Sequence, residues 1–101
     1  MEEPIPSWLE VHLVYNDRVE KVPVDPELIL NCLENECLHD YYETYVKSLI
    51  GLDANLVKVE VHQLKGGIVI SYDTTKNKAH LVLHRRDLDP LKLIDTIRRQ
   101  L

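Results

Sequence analysis

Phenylalanine is absent from this 101-residue chain, and methionine and tryptophan occur once each. A core must therefore come mostly from Leu, Ile and Val, with five tyrosines as the remaining large rings. Glycine is scarce too, at three residues, and no Ser/Gly-rich linker or internal repeat divides the chain. This length supports one domain, and we expect residues 1–7 to be a tail and 8–101 a single fold. No apolar run reaches the roughly 18 residues that span a bilayer. The start, Met1-Glu2-Glu3-Pro4, lacks the basic-then-apolar order of a signal peptide. Cysteine is limited to Cys32 and Cys37. Within one continuous helix, a spacing of five turns two side chains well apart, so both are predicted to be free, buried small hydrophobes. Free thiols fit a reducing compartment, and a cytoplasmic or nuclear location follows.

What the chain does have is a lopsided distribution of charge. Residues 1–55 hold twelve Asp/Glu against Arg18, Lys21 and Lys47, whereas residues 56–101 hold five acids against nine bases. The halves thus carry −9 and +4, within a total of −5. Like charges repel and add nothing to a fold, so this asymmetry suggests a surface suited to a charged partner.

Residues 8–15 alternate, with Leu9, Val11, Leu13 and Tyr15 on one side, which predicts a half-buried strand. Asn16-Asp17 supplies a tight turn. The return strand, residues 18–24, carries Val19, Val22 and Val24 with a slipped phase, which predicts a bulge near Glu20-Lys21. Pro23 lacks an N–H and confines that strand to an edge. Asp25-Pro26-Glu27 then starts a helix by capping, fixed φ and favourable dipole charge. The apolar positions from 28 to 50 predict one long helix ending at Gly51, or two pieces hinged near residues 36–40, where Asp40-Tyr41-Tyr42-Glu43 could cap a second start.

Alternation at Val57, Val59 and Val61, at Ile68, Ile70 and Tyr72, and at Ala79, Leu81 and Leu83 predicts three further strands. Gly66-Gly67 forms a hairpin turn between the first two. A closing helix begins at Asp89-Pro90 and buries Leu93, Ile94, Ile97 and Leu101. The predicted fold is α+β, in the order ββ-α-βββ-α, with one sheet and helices packed on one face. The opening hairpin feeding a helix through an acidic, Pro-containing corner resembles the β-grasp (ubiquitin-like) layout. The helix–three-strand–helix run of residues 26–101 is similar to that of double-stranded RNA-binding domains. There the Lys run that opens the last helix corresponds to Arg85-Arg86-Asp87-Leu88-Asp89-Pro90-Leu91-Lys92, where two acids intervene. Both resemblances concern the fold alone.

Ser7, Ser48 and Ser71 lie in no nucleophile elbow, and no carboxylate pair sits in an apolar frame, so no catalytic residue is assigned. His12, His62, His80 and His84 fall on the non-core phase of their strands, beside Glu60. His80 and His84, the one local pair, are about 13 Å apart along a strand and cannot share an ion by themselves. They read as solvent-facing, with neither metal nor cofactor. Tyr41, Tyr42 and Tyr45 crowd one helical stretch, and on a 100° wheel one sheet face cannot cover them all. Tyr41 or Tyr42, and not both, is therefore predicted to be exposed as part of a contact surface. The basic Arg85, Arg86, Arg98 and Arg99 complete the candidate partner-binding set. The function that fits is a non-enzymatic protein-interaction or self-assembly module, with nucleic-acid binding through those arginines as the alternative.

Overall fold

The computed structural model describes residues 9–15, 18–22, 26–35 and 37–100. Five strands, β1 (Leu9–Tyr15), β2 (Arg18–Lys21), β3 (Leu56–Leu64), β4 (Gly67–Thr74) and β5 (Lys78–Arg85), form one antiparallel sheet. Their order across the sheet is β2-β1-β5-β4-β3. The last strand in the chain thus lies at the centre, and β2 is an edge. The tail, the Asn16-Asp17 turn, Pro23 and the Asp25 cap lie outside the described residues.

Alternation along the central strands divides the side chains between two faces. Val11, Leu13, Ile70, Tyr72, Ala79, Leu81 and Leu83 pack on one face with Ile29, Tyr42 and Val46. Val14, Val69 and Val82 pack on the other with Leu93, Ile94 and Ile97. Helices therefore cover both faces, and the expectation that they share one is corrected. The reason is that the middles of β4 and β5 carry an apolar residue in each phase, Val69 as well as Ile70 and Val82 as well as Leu81, although polar residues flank the valines. Each face needs its own cover.

The first cover is α1 (Pro26–Asn35), followed by a rod of α2 (Leu38–Tyr41), a π-helical segment (Tyr42–Val46) and α3 (Lys47–Ile50). One helix over 26–51 is thus replaced by two pieces that part near Cys37. The break also corrects the prediction for the cysteines. Where the chain leaves helical geometry, the Cα atoms of Cys32 and Cys37 come within 4.8 Å and a disulfide joins them. The argument for a reducing compartment, which needed free thiols, loses its footing. No Asp40 capping box opens α2, because Cys37 is its N-terminal flank and makes no side-chain cap. The second cover is α4 (Pro90–Gln100), whose start is as predicted: Asp89 Oδ1 accepts the Leu91 N–H at 3.0 Å.

Two register details also differ from expectation. The β1–β2 ladder runs without interruption from Tyr15↔Arg18 to His12↔Lys21, and Val22 N–H donates to Val11 O at 2.9 Å. The slipped valine phase is no bulge: Val19 and Val22 simply serve opposite faces. The bulge lies instead in β3, between Leu56 and Lys58, and leaves Val57 exposed. The β3–β4 hairpin turns through Lys65-Gly66, one residue earlier than the Gly-Gly pair implied, because Leu64 pairs with Gly67. Of these two glycines Gly66 has positive φ, at 95°. Gly67 serves a different need, since a Cβ there would strike the Leu83 carbonyl oxygen and crowd Leu93. No helix among the described residues is long and apolar enough to cross a membrane.

Candidate functional site

The α4 face of the sheet carries two groups of polar side chains, one towards each end of the helix. Alternation on β1 places Glu10 and His12 on this face, and alternation on β5 does the same for His80 and His84. The apolar patch of Val14, Val82, Leu93, Ile94 and Ile97 lies between the groups.

At the N-terminal end of α4, Glu10 pairs directly across from His84 and His12 lies two residues along. His12 Nδ1 and His84 Nε2 are 2.7 Å apart, and the two rings approach to 4.8 Å between centroids. His84 Nδ1 lies 2.7 Å from the carbonyl oxygen of Arg85. A carbonyl only accepts, so His84 carries its proton on Nδ1 and turns the Nε2 lone pair towards His12. In this state His12 donates from Nδ1. Burial, then the neighbouring His84, hold the His12 imidazole below its ordinary pKa. Glu10 Oε1 receives Lys21 Nζ at 3.5 Å and Arg86 Nε at 3.6 Å. The ligand atoms of Glu10, His12 and His84 all lie within 4.8 Å of one another.

At the other end of the helix is a cleft of about 310 Å³, lined by Glu60, His62, Ser71, His80 and Arg98 among others. Ser71 Oγ and His80 Nδ1 are 2.9 Å apart, and Ser71 is buried. Burial, followed by Lys78, Arg98 and His62, pushes the His80 imidazole down to about 4. His80 is thus neutral at pH 7 and can accept the Ser71 proton.

The structure gathers only some of the predicted partner-binding residues. Tyr42 is wholly buried, and its hydroxyl donates to Ala54 O. Its ring lies 5.0 Å from that of Tyr72, and burial raises its pKa. Tyr41 and Tyr45 are half-buried against the same core, with centroids 5.6 Å apart. The Tyr41 hydroxyl is buried without a hydrogen-bond partner among the described residues, and burial with Tyr45 nearby pushes its pKa up to about 12. Neither Tyr41 nor Tyr42 is the open ring that was predicted. The 100° wheel fails here because the segment is π-helical: Lys47 N–H reaches Tyr42 O, five residues back, so each residue advances by a smaller angle.

The four arginines are split between the two ends. Arg85 pairs with Asp87 at 2.9 Å and Arg86 with Glu10, both at the N-terminal end of α4. Arg98 pairs with Asp95 at 3.8 Å and lines the cleft at the far end. The sequence placed His12 and His84 on one strand phase but as solvent-facing; that His84 is buried, with Glu10 beside it, was missed because these residues come from strands that are neighbours only in space. The legible fragment was Glu10-Val11-His12, an acid and an imidazole on one face of a strand. Scans of protein-family models, curated proteins and solved structures find no match to this chain.

Proposed function

We propose that the chain is a non-enzymatic protein-interaction module that assembles with a second copy or with a protein of similar charge pattern. The observation that carries this reading is the placement of the helices on opposite faces. It turns the asymmetry along the chain into one across the sheet. The α1–α3 layer presents Glu27, Asp40 and Glu43 with Lys47, while α4 presents Lys92, Arg98 and Arg99 with Asp95. An acidic face on one copy complements a basic face on the next, which is a head-to-tail contact. Further support comes from β3, nine residues long and paired on one side only, as a template for strand addition. Edge strand β2 is a poorer template, since it has four residues, three of them charged.

Light scattering across a concentration series at low and high salt tests the self-assembling form. Mass rising with concentration at low salt and falling back at high salt is expected. A strictly monomeric species at high concentration and low salt removes it. The nucleic-acid alternative draws less support, because Arg85, Arg86 and Arg98 already face carboxylates and are spread over two ends of a helix rather than along one phosphate track.

A further inference from the structure

We propose that Glu10, His12 and His84 form a three-ligand site for a divalent transition-metal ion of the zinc class, with a remaining coordination position open to water. The donor set is the first reason. Two imidazoles and one carboxylate suit zinc and its neighbours, and three protein ligands with an open position are what a non-structural zinc site uses. Backbone register is the second. Glu10 stands directly across from His84 in the β1–β5 ladder, and His12 follows on the same face, so three donors converge without any loop.

The third reason is the anchoring of His84. This ring is 1% exposed, and its Nδ1–H is held by the Arg85 carbonyl. A metal-bound histidine characteristically gives its other N–H to a carbonyl or carboxylate, which fixes the tautomer and aims the remaining lone pair. His84 already has that arrangement. His12 needs only its proton on Nε2 to offer Nδ1 to the same ion. The present 2.7 Å between the ring nitrogens is shorter than the roughly 3.3 Å expected of two ligands on a tetrahedral ion with bonds near 2.0–2.1 Å. Side-chain rotation of the half-buried His12 supplies that difference. Lys21 and Arg86 contact Glu10 through Oε1, and both have side chains at least 60% exposed, so they can swing into water as the cation enters.

Calorimetric titration of the EDTA-stripped full chain with Zn²⁺ tests the site. One saturable equivalent per chain is expected, together with a Zn²⁺-dependent rise in thermal midpoint. His12→Gln and Glu10→Gln sit at the rim and are expected to weaken binding by roughly tenfold to 100-fold or more and to abolish the midpoint shift. Circular dichroism is used to check that these variants fold, and they are preferred to replacing His84 because that residue is buried. His62→Gln, in the other group, is expected to bind as the parent does. Absence of saturable binding, equal affinity in the His12 and Glu10 variants, or equal loss on replacing His62 would each overturn the proposal.

Discussion

Two neighbouring tyrosines in the helical rod have opposite hydroxyl economies. Tyr42 donates to a backbone carbonyl inside the core, whereas the hydroxyl of Tyr41 is removed from water with no partner among the described residues. An unsatisfied buried hydroxyl costs more than a satisfied one returns. Tyr41→Phe is therefore expected to leave stability unchanged or raise it by up to about 1 kcal/mol, while Tyr42→Phe lowers it by about 1 kcal/mol. Tyr42→Ser, which also opens a cavity, is expected to cost about 3 kcal/mol or more. Urea midpoints of the three variants check this ranking; a loss for Tyr41→Phe equal to that for Tyr42→Phe would contradict it. His80 makes a second residue-level case. Its imidazole titrates near 4 when folded and near the ordinary 6.5 when unfolded, so the unfolded chain binds the extra proton between those values. Stability from His80 is complete above about 6.5 and is lost as pH falls towards 4. His80→Gln is expected to flatten the fall in unfolding midpoint across that window, measured by thermal melts at a series of pH values.

Among the elements, α1 is tied to the start of α2 by the Cys32–Cys37 bond. In the chain-entropy view, cross-linking residues five apart constrains the unfolded state by about 2 kcal/mol. Replacing both Cys32 and Cys37 by Ser is expected to lower stability by about that amount in denaturant melts. Thiol titration of the native, unreduced chain is expected to find no free sulfhydryl among the two. The β3–β4 hairpin offers an independent element-scale test. Gly67→Ala places a methyl against the Leu83 carbonyl and Leu93, and an overpacked backbone contact of this kind is expected to cost about 1–3 kcal/mol. Leu88, the neighbour that a Cβ at Gly66 would meet, is a side chain that can give way, but φ of 95° still strains any residue other than glycine there.

For the whole molecule, the proposed contact between faces is tested through the charge of α4. Replacing Arg98 and Arg99 by Glu inverts the sign of the α4 face, since Lys92 and Asp95 then leave acids in excess. If copies meet acidic face to basic face, this double variant is expected to remain monomeric at the low-salt concentrations where the parent associates, as sedimentation velocity would show. Association unchanged by the inversion would place the contact elsewhere, with the β3 edge the next surface to test. The exposed Leu28 and Leu49 border the acidic layer, and the apolar stripe of the helices is wider than the sheet face they cover.

Strand alternation outside the start of β3, the α4 cap at Asp89-Pro90 and the edge position of the return strand, read as 18–24 and described as Arg18–Lys21, were legible in the sequence, because each depends on near neighbours or on the missing N–H of a proline. An α+β chain with one sheet followed from the same local signals. Periodicity could not say which face each helix would cover, since Val69 beside Ile70 and Val82 beside Leu81 give each face of the central strands apolar residues to cover. It could not show the Cys32–Cys37 bond, because a break in the helix annuls the wheel that kept the two apart. Nor could it bring Glu10 and His12 to His84, more than 70 residues later in the chain. That meeting depends on β5 inserting beside β1, and strand order is decided by the packing of the whole sheet rather than by any local run of residues.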